Sequence, residues 1–338
     1  MSLSNILGVQ VLEELAKYTG ESKRLRYKEI YKLLVDEFRI ESRFDTVSDC
    51  IRELKNIGLV EGDRRGCYLI REFSSTEIRM MIDGIYYGKS ISEKDATQII
   101  DKLKNISPVD IKNRLKNLSY HEKYNRTDNE KTASIIDVLD EAITSQMKVE
   151  ITGCHYKIDK KMHPNDRTFT TTPYNIVSDK QMYYLICSGT HARPKPELEM
   201  RRIDRMWDVR IKKMETGDPV RNYLCGETEL DLSKWMEEHI YMFSGECVLV
   251  ELKIKAENIG ELIDWYGKNF TIEKTIGDKD TPEYVIVKLV VNTKALFFWL
   301  LQYYRIVTVL SPAGLREKLR QAGKDISDAY AIEIQDRC

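Results

Sequence analysis

The sequence predicts a multidomain α+β protein with an N-terminal winged helix-turn-helix, a central Sm-like or SH3-like β-barrel and a C-terminal α+β domain. Three observations predict it. Apolar stripes at helical spacing fill most of residues 1–75 and give way to a glycine-flanked hairpin pattern. Short alternating β segments then follow one amphipathic helix, and further on strand and helix patterns alternate towards the C-terminus. At 338 residues the chain is long enough for two or three domains. The boundaries fall at 1–75, a helical linker at 76–130, the barrel at 131–216, a linker at 217–240 and the last domain at 241–338.

Composition excludes several classes. With 42% hydrophobic and 32% charged residues, each domain can bury a core without staples. The longest apolar run, Ala295 to Leu301, is far short of the roughly 18 residues that span a bilayer. The stretch from Met1 to Leu12 lacks the basic start and small-residue cleavage site of a signal peptide, so no membrane partner and a cytoplasmic location are expected. The seven cysteines (Cys50, Cys67, Cys154, Cys187, Cys225, Cys247, Cys338) are odd in number and never form a C-x-x-C pair. Neither a disulfide framework nor a zinc site is expected, and no cofactor. Net charge is -1, and residues 1–75 carry 13 cations and 13 anions. Any nucleic-acid affinity must therefore come from local placement of charge.

In the first region Leu7, Val11, Leu12 and Leu15 make one helical stripe, and Ile30, Leu33, Leu34 and Phe38 a second. Val47, Cys50, Ile51 and Leu54 define a third helix, with Ser42 three residues before Asp45 as its expected N-cap. After Gly58, Leu59-Val60-Glu61 and Cys67-Tyr68-Leu69-Ile70 flank the turn Gly62 to Gly66 as a wing. In a module of this kind the third helix enters the major groove. Its solvent face is expected to present Arg43, Thr46, Ser48, Asp49 and Arg52. Lys23, Arg24 and Arg26, with Arg64 and Arg65 at the wing tip, are placed for phosphates. Asp45, Asp49 and Glu53 oppose phosphate unless they cap the helix, pair with Arg52 or accept from a cytosine amino group. A winged helix used only for protein contact stays open.

Residues 76–130 read as helical, with Ile78, Met81, Ile82 and Ile85 in one stripe and Ile99, Ile100 and Leu103 in another that Pro108 ends. The stretch holding His121, Lys123, Tyr124 and Arg126 reads as polar connector. From Thr132 to Ile143 an amphipathic helix leads into Val149 to Tyr156. Strands then alternate with turns signalled by Asn165-Asp166, Ser178-Asp179-Lys180 and Pro194-Lys195-Pro196. About five short strands after one helix suggest the small barrel.

Within it, Pro173-Tyr174, Tyr183-Tyr184-Leu185 and Arg201-Arg202-Ile203-Asp204-Arg205-Met206 set tyrosines beside cations, a surface suited to bases and phosphates. Tyr183 and Tyr184 must face opposite sides of their strand, so one lines a ligand surface while the other packs inward. Tyr174 has the same two fates. Arg202 and Arg205 either meet phosphate or pair with Asp204 or Asp208. The effector set is Tyr174, Tyr184, Arg201, Arg202, Arg205, Arg167 and His155, although Arg167, with Lys160 and Lys161, is turn-proximal and open to being only solvated.

In the last region Val248, Val250, Leu252 and Ile254 alternate as a strand, Ile259, Leu262, Ile263 and Tyr266 are helical, and Tyr284 to Val291 returns to strand. Lys294 to Gln302 is a helix apolar enough to face a partner subunit. Ser311-Pro312 opens a final helix as N-cap and N1.

Taken in order, these motifs resemble the WYL-domain family of bacterial transcriptional regulators. The naming tripeptide is Tyr183-Tyr184-Leu185 here, with Tyr in place of Trp. Phe243-Ser244-Gly245-Glu246, Leu262 to Gly267, Phe298-Trp299-Leu300 and Leu310-Ser311-Pro312 resemble the extension that commonly follows such domains. The resemblance covers nearly the whole chain. It implies an Sm-like barrel that senses a single-stranded nucleic acid or nucleotide and signals to a winged helix on double-stranded operator DNA. Tyr184, Arg202 and Arg205 fall on the family's motif, whereas Gly153 and Arg201 stand where aromatics are frequent. A homodimer is expected, with two winged helices matched by the effector to half-sites roughly 34 Å apart.

Enzyme signatures are missing: there is no Walker-type loop, no G-x-S-x-G and no H-E-x-x-H. The five histidines (His121, His155, His163, His191, His239) are scattered, and only His155 and His163 lie near acids, Asp159 and Asp166. The alternatives are an RNA- or single-strand-binding accessory protein, for example of a phage-defence system, and a nucleic-acid-processing enzyme.

Overall fold

The computed structural model describes residues 3–20, 22–107, 111, 115, 126–189, 197–224, 227–245 and 247–331. Pro108, His121, Lys123, Tyr124, His191, the Pro194 to Pro196 turn, Cys225, Glu246 and Cys338 lie outside them. The chain divides into two compact units, 1–130 and 131–338, each taken here by itself.

In the first unit, α1 (Leu3–Tyr18), α2 (Tyr27–Phe38) and α3 (Phe44–Asn56) turn their stripes onto one core that includes Val11, Leu15, Ile30, Leu34 and Ile51. Strands β1 (Val60–Asp63) and β2 (Gly66–Leu69) form an antiparallel hairpin whose tip is Arg64-Arg65. Gly66 has φ +134°, and a Cβ there would meet the Leu25 carbonyl group at 2.7 Å, so the close approach of hairpin to chain requires glycine. The N-cap of α3 is Arg43, not Ser42, and no side chain caps it.

Helices α4 (Ser75–Tyr87) and α5 (Glu93–Ile106) share a core around Ile78, Ile82 and Ile100. Arg126, read as part of a polar connector, is a buried clamp instead. Its guanidinium donates to the carbonyls of Tyr86 and Gly88 at the end of α4 and pairs with Glu93 at the start of α5. A cation on the last carbonyls of a helix satisfies orphan acceptors and complements the helix dipole.

In the second unit α6 (Thr132–Thr144) precedes β3 (Met147–Tyr156), β4 (Met162–Thr171), β5 (Pro173–Asp179), β6 (Met182–Ser188), β7 (Leu198–Arg202) and β8 (Met206–Thr216). The expected barrel is not closed. The strands form two three-stranded antiparallel sheets, β4-β3-β8 and β5-β6-β7. The chain changes sheet at Thr172-Pro173, where proline brings no N–H to a ladder, and again at the 3-10 turn Ile203–Arg205. α6 and the inner sheet faces bury Leu139, Ile151, Leu185 and Ile203. Asn165-Asp166 is not a turn: both residues lie inside β4. The β3–β4 register shifts between Thr152 and Cys154, and the Asn165 amide fills the space where a Cβ on Gly153 would stand 2.6 Å away.

The stretch expected as a linker at 217–240 is packed structure: a 3-10 turn, Val220–Tyr223, and α7 (Leu232–Glu238) capped by Asp231. Beyond it run β9 (Cys247–Lys255), α8 (Ile259–Tyr266), β10 (Thr271–Gly277), β11 (Pro282–Asn292), α9 (Thr293–Gln302), β12 (Val307–Ser311) and α10 (Ala313–Ala331). The four strands pair antiparallel in the order β10-β11-β9-β12, a split βαβ arrangement with its two crossover helices on one core. Helix α9, expected to face a partner subunit, buries Ala295, Leu296, Trp299 and Leu300 in that core. Phe298 on the other face of the helix stays exposed. Ser311 ends β12, and the Pro312 carbonyl accepts from the Leu315 and Arg316 amides, so the last helix begins after Pro312.

Candidate nucleic-acid interface

The helical geometry of α3 sorts its residues. Val47, Ser48, Ile51 and Leu54 are buried, while Arg43, Asp45, Thr46, Asp49, Arg52 and Glu53 are exposed. Ser48 therefore does not belong to the outer face. It sits one position from Val47, on the flank of the buried stripe, and its hydroxyl donates to the Phe44 carbonyl at 2.9 Å, which allows burial. Asp49 pairs with Arg52 at 2.8 Å on the open face. Two cations against three acids leave that face without a positive excess.

The hairpin and the segment before α2 carry further cations. Lys23, Arg64 and Arg65 are exposed, and Arg24 lies 5.0 Å over the Tyr68 ring while pairing with Asp63 at 2.9 Å. Such exposed surface pairs are weak and screened by salt.

Asp63 organises the tip. It accepts from the Arg65 backbone N–H at 2.8 Å and from the Arg65 guanidinium at 3.2 and 3.0 Å. These bonds, the backbone one foremost, hold its carboxyl down at about 2. A depressed folded pKa means stabilisation that is complete above the unfolded value near ~3.9 and is lost as pH falls towards about 2. NMR titration should find Asp63 still ionised at about pH 3, where an unperturbed aspartate is mostly protonated. A midpoint at the ordinary value would mean that the tip is not organised by these bonds.

In the second unit the register sets Arg202 opposite Tyr184 and Arg201 opposite Leu185. Neighbours on a strand face opposite sides, so the two arginines part. Arg201 bonds Glu199 and lies 4.1 Å over the Phe169 ring. Arg202 donates to Asp204 from Nε at 2.9 Å and Nη2 at 2.7 Å, and this bond raises its pKa further. Arg205 approaches the same carboxylate at 3.9 Å and lies 4.4 Å over the Tyr156 ring. Asp208 pairs instead with Arg210, at 2.8 Å. Glu199 and Asp204 are 8% and 2% exposed, whereas the three arginine side chains keep 26%, 33% and 32%.

The expected tyrosine platform is covered by the chain itself. Tyr184 and Tyr174 pack into a cluster with Val177, Ile186, Leu198, Trp235 and Met242. Tyr174 donates its hydroxyl to the Asp218 carbonyl at 2.9 Å, and burial pushes its phenol well above the usual range. Tyr183 faces the other way, against the α6 core. Both residues of the pair thus meet apolar clusters, because α7 supplies a second core on what looked like a solvent face. Arg167 and His155 are exposed on β4 and β3, with His155 Nδ1 2.7 Å from Asn165 Oδ1. His163, the cross-strand partner of His155, bonds Asp159 at 2.7 Å.

Phe169 and Tyr156, the rings under Arg201 and Arg205, were not among the expected site residues. They lie on strands distant in sequence from the arginines, and only the fold brings them together.

No family model matches the chain, and no curated protein does. Among solved structures, proteasome accessory factor B/C (PafBC) of Arthrobacter aurescens is similar at 14% identity and a TM-score of 0.27, covering 94% of this chain and 47% of that one. The chain thus spans about half the length of that protein. A CRISPR Cas-related protein is similar at 14% identity and a TM-score of 0.38, covering 99% of this chain and 88% of that one. At these TM-scores neither likeness bears on function.

Proposed function

We propose that the chain is a DNA-binding transcription regulator of the WYL type. In this reading α3 and the β1–β2 hairpin form a winged helix-turn-helix for operator duplex, and the arginine cluster of the second unit answers to a nucleic-acid or nucleotide effector. The observation that carries it is the two-sided α3. One face is buried in the core, and the other offers Arg43, Thr46, Asp49 and Arg52 beside a hairpin tip bearing Arg64 and Arg65. The effector part is supported by Arg202 and Arg205, which share the Asp204 carboxylate while about a third of each side chain stays open. Phosphate oxygens can take guanidinium N–H groups of Arg202 and Arg205 in exchange for Asp204. The tyrosines stabilise the sheet in this reading and do not stack on bases.

The three acids on α3 favour a second reading, in which the chain binds single strands and α3 serves assembly. Selection of bound sequences from mixed single- and double-stranded pools decides between them. The regulator should enrich a duplex motif and footprint it, whereas enrichment of single strands alone would replace it with the second reading.

Replacing Arg64 and Arg65 together by alanine should then weaken duplex binding across all sequences. It should also lower the slope of log K against log salt by about two. An unchanged slope would remove the hairpin tip from the interface.

A further inference from the structure

Helix α10 is 19 residues long, yet Leu315 is the one residue it buries. Arg316, Leu319, Gly323 and Ile326 follow one another at intervals of three and four, so they share one face of that helix. Together with β12 and the end of α9, this face encloses a cavity of about 600 Å³, within the usual size of small-molecule sites. Its floor is buried Leu300, Val307 and Val309, and its rim carries Tyr304 and Ile326, 65% and 51% exposed. Gly323 keeps the space open. A Cβ there would meet nothing within 4 Å and the backbone is not left-handed, so neither packing nor conformation requires glycine. Glycine inside a helix weakens it relative to alanine, and what Gly323 provides is room.

Charge at this cavity has one sign. Acids outnumber bases 20 to 15 over residues 217–338, yet no carboxylate lines it among the described residues. Arg316 is the one charged residue of the lining. It makes no ion pair among the described residues, whereas Arg320, one turn on, pairs with Glu317 at 2.6 Å. Arg316 also stands in the first turn of α10, where the helix dipole disfavours a cation, so the helix itself does not explain its place. At the rim, the Tyr304 hydroxyl accepts from Arg305 Nε at 3.0 Å, which leaves its own proton to donate.

We propose that this cavity binds an amphipathic monocarboxylate, a small molecule with an alkyl or aryl chain for the floor and one carboxylate for Arg316. A planar guanidinium receives a carboxylate through two parallel hydrogen bonds, and the apolar floor takes the chain out of water. Each methylene so buried should tighten binding about fourfold. A polyanion such as nucleic acid would meet a single cation here. The site is therefore separate from the surfaces proposed above and does not rest on that reading.

The test is isothermal titration of the full chain with hexanoate, octanoate and octylamine. Octanoate should bind one to one, roughly tenfold or more tighter than hexanoate, which has two methylenes fewer, and roughly tenfold or more tighter than octylamine. Gly323→Leu puts a side chain into the cavity and should abolish octanoate binding without lowering the thermal midpoint. Arg316→Glu, at an exposed position, should lose octanoate and gain octylamine. A wild type that does not bind octanoate, or that binds octylamine as tightly, overturns the assignment. A folded Gly323→Leu chain that still binds octanoate does the same. Should Gly323→Leu fail to fold, unchanged octanoate affinity in Arg316→Glu is the overturning result.

Discussion

Replacing Trp299 by alanine is expected to destabilise the second unit by about 4 kcal/mol, most of the margin a domain of this kind possesses. Trp299 is fully buried at the centre of the C-terminal core, edge-on to Tyr266 at 5.5 Å and tilted against Tyr303 at 4.8 Å. Truncation removes the transfer free energy of an indole and leaves a cavity that β9, β11 and β12 cannot close, because their ladders hold them in place. The indole N–H is buried without a hydrogen-bond partner among the described residues. Trp299→Phe removes that unmet donor along with some volume, so its cost should be under about 2 kcal/mol. Urea unfolding followed by circular dichroism measures both. The pair also separates an internal helix from an interface helix. If α9 served a partner subunit, Trp299→Ala would shift the oligomeric state and make the midpoint depend on protein concentration, whereas an internal helix loses stability at every concentration.

What the sequence revealed follows from how local each signal is. The stripes of α1, α2 and α3 were legible because each helix buries one face, and Val47, Ile51 and Leu54 keep helical spacing. Ser48 was misread because helix flanks are ambiguous and a hydroxyl returned to the Phe44 carbonyl can be buried. β10 is exposed along nearly its whole length, so it has no apolar alternation to detect. The open sheets in place of a barrel, the cover that α7 lays over Tyr174 and Tyr184, and the clamp made by Arg126 all depend on contacts between residues distant in sequence.

Asp204→Ala is expected to be the most damaging single change outside the apolar cores, at about 3 kcal/mol. The carboxylate is 2% exposed in the turn between β7 and β8, flanked by fully buried Ile203, and it accepts two bonds from Arg202 with Arg205 at 3.9 Å. Without it two cations face each other across an emptied pocket. Their partial exposure sets the cost at the low end of the range for broken buried pairs. Asp204→Asn keeps the shape and one acceptor while removing the charge, so it should fold with a smaller loss. That variant also raises the net charge of the cluster by one and frees guanidinium N–H groups. If the exposed edges of Arg202 and Arg205 meet effector phosphates, Asp204→Asn should bind single-stranded nucleic acid or nucleotides more tightly and with steeper salt dependence than the wild type. If the arginines only tie β7 to β8, stability falls and binding does not change. Thermal unfolding and a salt titration of binding on the same preparation tell these apart, because the first reads the tie between the strands and the second reads the cation.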